Sequence, residues 1–531
     1  MVAAKNAASF ARSRGESAES KSIDGCCQER RPRTYNVKHC QLSMPHGFKH
    51  GLTQEVAYNS LLIERRKKLH EQVGAAIEAL YSSQLSDHLS ELAHHYQRSG
   101  NIGKALEYLP RAAEQSIARS CHAEAVSLFT SALELTKALL ETTEREQKEL
   151  HLEIALGSAL FAAKGWSYPE AGRAAGRAAD ISRRIGSTPH LFVALCHLVG
   201  FNFTRGKLSA ACKFAEEALE IAEERQDPGF LVWAHCNRGL VSYAMGELIS
   251  ARTHLERAIS LYDPTQQGSY RVVSPDLDPG PWSMGWAAWT LHLLGYADQA
   301  LERIRQALAL ARELGTPFGV VHAVWFLPGL HSWRGEPQAA LHSADELLRL
   351  TTDHGFEQMA RAAPINRAIA LIGLGRVKEG LVQLEDGFAA VQTLGAVLFF
   401  FFESLAIAYD KAGRTVDGLA AVDAGLAMYE RTGEKVYQAA LYTLRGELLL
   451  KLGTKEEEAQ LCFRRALEIA RRQQAKHREL KTTMSLARLL AKNSCREEAR
   501  AMLADIYGWF TEGFDTADLK DAKALLEELS R

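Results

Sequence analysis

One spacing constrains this chain more than any other: a small residue recurs every 40 positions, always inside the same local pattern. Ala211 and Ala251, Ala300 and Ala340, Ala340 and Gly380, and Ala459 and Ala499 each stand 40 apart. Five residues before most of these lies a glycine, and four and seven residues after them lie further small or apolar residues. Examples are Gly100, Ala105, Leu109, Ala112 and Gly246, Ala251, Leu255, Ala258. The glycine ends one helix where the chain turns with positive φ. The small residue lets the next helix approach its neighbour closely, and the i, i+4, i+7 face packs against the preceding helix. One such hairpin cannot bury its own apolar face, so neighbouring copies must stack to form the core.

Composition supports a soluble, repetitive chain. A length of 531 residues would ordinarily mean three to four domains unless one array fills it. The 63 basic and 64 acidic residues leave a net charge of −1, which gives no global attraction to nucleic acid or anionic membrane. The longest apolar run, Ala396 to Phe402, is far short of the roughly 20 residues a membrane-spanning helix needs. Nine scattered cysteines without a CxxC pair argue against a disulfide framework and for a reducing cytoplasm. Residues 1–47 lack sustained apolar periodicity and read as a disordered or unrelated N-terminus. Their acidic residues, Glu16, Glu19, Asp24 and Glu29, argue against a transit peptide.

From about residue 85 onward the chain reads as helix throughout, and the spacing predicts about ten hairpins over 82–531. The best copy runs Gly239, Tyr243, Gly246, Ala251, Leu255, Ala258 and Pro264. It resembles the tetratricopeptide repeat, with a period about six longer than the usual 34. The expected fold is therefore all-α, a right-handed tetratricopeptide-like superhelix. One interval, Ala251 to Ala300, is 49 residues. The excess falls in Asp263 to Pro281, where Pro264, Pro275, Pro279 and Pro281 with Gly268 and Gly280 predict a non-helical loop on a binding face.

A more specific resemblance rests on several stretches. Phe48 to Tyr58 with Leu61-Leu62 and Arg65-Arg66 is similar to the segment closing the ATPase arm of STAND-type signalling proteins, a winged-helix-like remnant over 48–81. Ala93-His94-His95-Tyr96, Leu261-Tyr262-Asp263-Pro264, Leu294 to Leu301, Ala466 to Lys476 and Ile506 to Thr516 resemble the repeat region of class III adenylate/guanylate cyclase–ATPase fusions. That resemblance implies a sensor or scaffold whose partner is a protein or peptide, with a cyclase or ATPase module among the candidates. The catalytic parts are not expected here. No GxxxxGK[ST] occurs, since Gly103-Lys104 is followed by Ala and Gly206-Lys207 by Leu. The chain is thus expected to be non-enzymatic, without cofactor or metal, in contact with neither membrane nor nucleic acid. The regulatory half of a STAND-type transcriptional activator is the alternative.

Candidate chemistry is sparse. His88, His94 and His95 lack a completing ligand set, and Cys196-His197 and His235-Cys236 place adjacent side chains about 100° apart on a helix. Carboxylates interleaved with Arg and Lys read as solvated helix faces. The aromatic concentration stands out: Trp282, Trp286 and Trp289 recur at helical spacing after the inserted loop, followed by Trp325 and Trp333. These five are the candidate partner or ligand groove, with inter-helix core filling as the alternative. Thr516 to Leu529 is expected to be a terminal cap helix, N-capped by Asp515 or Thr516 and anchored by Trp509, Phe510 and Phe514.

Overall fold

The computed structural model describes residues 56 and 58–531, apart from 397–400 and 454–455. The expectation for residues 1–47, and that for residues 48–55 and 57 of the winged-helix-like remnant, lie outside the described residues. The chain divides into Met1–Ile63, of which few residues are described, and Glu64–Arg531.

The second unit is a stack of helices with no strand among its described residues. It opens with α1 (Ile63–Leu80), α2 (Leu89–Ser99), α3 (Ile102–Ala118) and α4 (His122–Thr136). Nine hairpins follow: α5/α6 (Thr143–Lys164, Pro169–Ile185), α7/α8 (Thr188–Thr204, Leu208–Arg225), α9/α10 (Pro228–Ala244, Leu248–Leu261), α11/α12 (Pro279–Leu294, Ala297–Leu314), α13/α14 (Pro317–Arg334, Pro337–Asp353), α15/α16 (Glu357–Gly373, Val377–Thr393), α17/α18 (Phe401–Lys411, Thr415–Thr432), α19/α20 (Gln438–Lys451, Glu456–Gln473) and α21/α22 (Lys476–Lys492, Arg496–Trp509). A last helix, α23 (Ala517–Leu529), closes the array. This is the tetratricopeptide-like α-solenoid that the spacing predicts.

The first helix of each hairpin also touches the first helix of the next, so α5, α7, α9, α11 and their successors form one continuous inner layer. The second helices form the outer layer, and the repeat pattern lies on their buried face. Ala211, Ala215 and Ala218, Ala300, Ile304 and Ala307, and Ala459, Phe463 and Ala466 are all fully buried.

The turns explain the period. Positive φ occurs at Gly295, Gly315, Gly335, Gly355, Gly375 and Gly395, one left-handed residue every 20 positions, at both ends of each hairpin. Where glycine is absent, Ser120, Gln226, Gln474 and Ser494 adopt the same conformation. Because Ser120 replaces glycine, the copy on α4 (Ala125, Phe129, Ala132, all buried) escapes a glycine-based reading of the sequence. Proline marks the opposite ends: Pro169, Pro228, Pro279, Pro317 and Pro337 open helices, where the missing N–H costs nothing.

The inserted segment differs from its expectation. Pro279 and Pro281 belong to the first turns of α11, and Pro264–Gln266 and Gln267–Tyr270 are themselves single helical turns. The segment folds inward. Tyr270, Val273 and Leu277 are buried, the Trp233 indole donates to the Tyr270 carbonyl at 3.1 Å, and His197 Nε2 lies 2.8 Å from the Val273 carbonyl.

The array also meets itself. Lys164 pairs with Glu357 at 3.0 Å, the Ser167 N–H donates to Gln358, and the Lys435 N–H donates to the Ala244 carbonyl. Tyr243 and Tyr437 hydroxyls lie 3.0 Å apart. Farther along, Glu512 accepts from the Asp298 and Gln299 N–H groups, and Arg334 grips Asp515 with two bonds of 2.9 and 3.0 Å. These partners stand 181 to 214 residues apart, so a seam joins turns about four and a half hairpins distant.

The end of the chain contributes to that seam. Helix α23 buries Leu519, Ala522, Leu525 and Leu529, an apolar stripe at helical spacing that leaves Leu526 half-buried. Its anchors differ from expectation. Phe510 is buried, whereas Trp509 is 37% and Phe514 48% exposed. Asp515 serves Arg334 and not the helix end, and the Thr516 hydroxyl donates to the Gly513 carbonyl.

Candidate ligand chamber

Helix α11 is hydrophobic all round because it lies between inner helices α9 and α13 and also touches α21 across the seam. Its Trp282, Trp286 and Trp289 follow i, i+4, i+7 spacing and meet edge to face, with ring centroids 5.6 Å apart in each successive pair. Phe326 of α13 lies edge-on to all three. The Trp289 N–H donates to the Phe326 carbonyl at 3.0 Å.

These rings border a chamber of about 120 Å³ between the inner helices. Trp282, Trp286, Trp289 and Trp325 line it, together with Trp166 and Tyr437. For scale, an apolar cavity of roughly 150 Å³ takes up benzene. Two buried donors face apolar surroundings here: neither the Trp166 nor the Trp286 indole N–H has a hydrogen-bond partner. His322, also on the wall, is held neutral, its pKa lowered to about 4 by burial. An apolar pocket with a few convergent polar groups suits a ligand with a planar or aliphatic group beside a hydrogen-bond acceptor.

Trp333 does not join this set. It lines a second chamber of about 470 Å³, which shares Trp289 with the first. Here charged groups join the apolar lining. Arg478, 3% exposed, makes two bonds of 2.6 and 2.9 Å to Glu403, and its guanidinium lies 5.6 Å from the Tyr437 ring centroid. Asp518 receives His477 at 2.9 Å and Lys481 at 3.3 Å. Burial opposes its charge, but Lys481 and His477 together hold its carboxyl far below the usual range. His292 stacks on Trp333 at 5.4 Å and sits 4.4 Å from His477. Burial keeps it neutral, and neither ring nitrogen has a partner.

Sequence reasoning found the tryptophans but missed most of the other walls. Phe203 and Tyr243 stand 40 residues apart, as do Trp282 and His322, and Trp286 and Phe326. Stepping the tryptophan positions along by one period would have found His322 and Phe326, but not Phe203 or Tyr243, which stand one period from no tryptophan. No comparable signal marks Glu403, Arg478 and Asp518, which come from three separate elements.

His70 and His95 ring nitrogens lie 2.9 Å apart between α1 and α2, and no group of three metal-ligating residues occurs among the described residues. Cys196 and Cys236 are buried, with the Cys236 thiol pushed up to about 12 by burial. No helix among the described residues is long and apolar enough to cross a membrane.

Comparison with known proteins agrees with this architecture. The sequence model of the anaphase-promoting complex subunit 5 family matches residues 158–238 and 286–334. An uncharacterised protein of Rhizobium meliloti (strain 1021) is 21% identical over 434 residues, covering 81% of this chain but only 42% of that protein. The chain thus spans less than half the length of the curated relative it matches. Among solved structures, the apo quorum sensor NprR from B. thuringiensis has 12% identity over 74% of this chain and all of its own, with a TM-score of 0.41. A Rap protein complexed with Competence and Sporulation Factor aligns over 69% of this chain and 98% of its own, at 15% identity and a TM-score of 0.50. That likeness establishes a shared helical-repeat fold.

Proposed function

We propose that this chain is a non-catalytic recognition module that binds a protein segment or peptide-like ligand in the chamber walled by Trp282, Trp286, Trp289 and Trp325. The observation that carries this reading is the convergence of inner helices from successive hairpins on one apolar chamber holding two unpartnered indole donors. A core built only for stability has no use for buried donors left unpaired, since each costs about 1–3 kcal/mol. The Rap protein of similar fold is itself seen in complex with a factor, in keeping with a binding role.

The finer reading makes the module the sensor part of a cyclase–ATPase type of signalling system, acting on such a partner in a reducing cytoplasm. The stretches Ala93 to Tyr96 and Ile506 to Thr516 support it, as does the greater length of the Rhizobium relative, which leaves room there for other modules.

The chamber is tested by filling it. Ala362 on α15 lines the space and is 4% exposed. Calorimetric titration of the wild-type chain with N-acetyltryptophanamide should show saturable binding, and Ala362→Phe should abolish that binding without lowering the melting temperature. Non-saturable heats, or binding that Ala362→Phe leaves intact, would overturn the reading. Cyclic-nucleotide formation from ATP or GTP by the purified chain would overturn the non-catalytic part.

A further inference from the structure

The second chamber carries a more specific assignment, which rests on the reading of the tryptophan chamber as a ligand site. Six titratable side chains line it: Glu403, Lys411, His477, Arg478, Lys481 and Asp518. Glu403 is matched by Arg478, and Asp518 by Lys481 and His477. Lys411 remains as a cation whose ammonium meets only the Ile372 carbonyl, at 3.5 Å. The chamber therefore holds one positive charge more than its own carboxylates balance.

Its unpartnered polar atoms have the same preference. Arg478 Nε and Asn366 Nδ2 are donors without a partner on residues 3% exposed, and His477 Nδ1 is unpartnered on a residue 7% exposed. A guanidinium N–H and an amide NH₂ can only donate, so what they lack is an acceptor. Unpaired donors on buried residues, together with a surplus cation at the exposed edge of the chamber, favour an anionic oxygen. Trp289 lines both chambers, so the two spaces adjoin at this ring.

We propose that the chamber between α13, α15, α17 and α21 binds the carboxylate of a ligand whose apolar group occupies the tryptophan chamber. The ligand is thus an amphipathic monocarboxylate, either a small apolar acid or the C-terminus of a peptide ending in a large apolar residue. The surroundings exclude a polyanion such as a nucleoside phosphate. The adjoining cavity of about 310 Å³ sets Asp410, Glu447 and Asp521 with Glu403 and Asp518 against Lys411, Arg478, Lys481 and Arg488, so it offers no surplus of positive charge to a second anionic group.

The test uses the full chain, calorimetric titration and matched acid and amide probes: N-acetyltryptophan against N-acetyltryptophanamide, and the tripeptide Ala-Ala-Trp against its C-terminal amide. The acid of at least one pair should bind about tenfold more tightly than its amide, the value of one charge-assisted hydrogen bond. Lys411→Met, at an exposed position that folding does not require, should cut that preference at least threefold and leave amide binding unchanged. Asn366→Leu should act in the same direction. Preference confined to N-acetyltryptophan supports the site and identifies a small acid. Preference in the tripeptide pair supports it and identifies a peptide terminus. Equal binding of acid and amide, or a preference that Lys411→Met leaves intact, overturns the carboxylate site while the tryptophan chamber stands. Absence of binding by every probe overturns the ligand reading of both chambers.

Discussion

Two glycines of the same conformation separate the cost of a turn from the cost of the seam. Gly315 and Gly335 end successive helices with φ of 72° and 77°. Alanine at either pays for the left-handed conformation, about 1–2 kcal/mol for an L-residue. At Gly315 a Cβ would meet nothing within 4 Å, so the backbone term is the whole cost. At Gly335 a Cβ would lie 2.3 Å from the Ala517 Cβ, well inside any tolerable contact. Ala517 is the first residue of α23, two positions beyond the Asp515 carboxylate that Arg334 holds. The start of α23 must retreat, and overpacking of this kind typically adds about 1–3 kcal/mol.

Gly315→Ala should therefore lower stability by about 1–2 kcal/mol in urea unfolding, and Gly335→Ala by about 2–5. Location discriminates more sharply than magnitude. Hydrogen exchange over 510–529 should accelerate at least tenfold in Gly335→Ala and stay at the wild-type rate in Gly315→Ala, because only the first substitution pushes the clasp open. Equal losses in the two variants, with unchanged exchange over 510–529, would refute the packed seam.

Other substitutions test other parts of the argument. Gln474→Gly and Ser494→Gly relieve left-handed strain at exposed turns and should each raise stability by about 1 kcal/mol in urea melts; Gln226→Gly should gain less, because it forfeits the 2.7 Å bond from its side chain to the Glu223 carbonyl. Arg334→Met leaves Asp298, Glu336 and Asp515 without their shared cation. Because those carboxylates are partly exposed and can rehydrate, the loss should be about 2–3 kcal/mol, with new protease cleavage near residues 509–516. Glu434 is fully buried without a side-chain partner, and burial holds its pKa well above 4.5 against the opposing pull of the Tyr437 backbone N–H. Above pH 4.5 the unfolded chain releases this proton while the folded chain retains it, so stability falls with rising pH by up to about 1.4 kcal/mol per unit. Glu434→Gln should match wild type below pH 4.5 and be the more stable protein at pH 7; parallel stability curves across that range would count against the assignment.

What the sequence made legible was local. The outer-helix faces could be read because Ala251, Leu255 and Ala258 stand within two turns of helix, and each copy repeats the spacing. The stripe of α23 was legible for the same reason. Inner helices were not, because α11 and α13 are buried on nearly every side and present no periodic boundary between apolar and polar faces. Tryptophan drew notice by its rarity, while Phe203, Tyr243 and His322 occupy related registers with commoner side chains. Arg478 and Glu403 looked like members of solvated helix faces, since charge alone does not distinguish a helix facing water from one facing a chamber. Trp509 and Phe514 misled in the opposite direction: aromatic rings at a chain end suggest anchors, but the clasp there is held mainly by Glu512, Asp515 and Asp518.

The seam lies beyond any local reading, yet its spacing follows from the period. Each hairpin has a turn from inner to outer helix at one edge and a turn from outer to inner helix at the other. When the array comes round to meet itself, opposite edges face, so partners differ by a half-integral number of repeats. Ala244 at an inner-to-outer turn meets Lys435 at an outer-to-inner turn, and Gly335 meets Ala517 in the same sense. About four and a half periods of 40, lengthened where the inserted segment intervenes, account for separations of 181 to 194. Asp298 reaches Glu512 because an inner-to-outer turn at the seam lies between two outer-to-inner turns; a Cβ at Gly246 would likewise meet both Lys435 and Gln473. The two chambers lie where the inner layer encloses space against this seam, so their walls combine successive inner helices with residues from across it. Residues such as Tyr243 and Tyr437 become neighbours only once the array has made its turn.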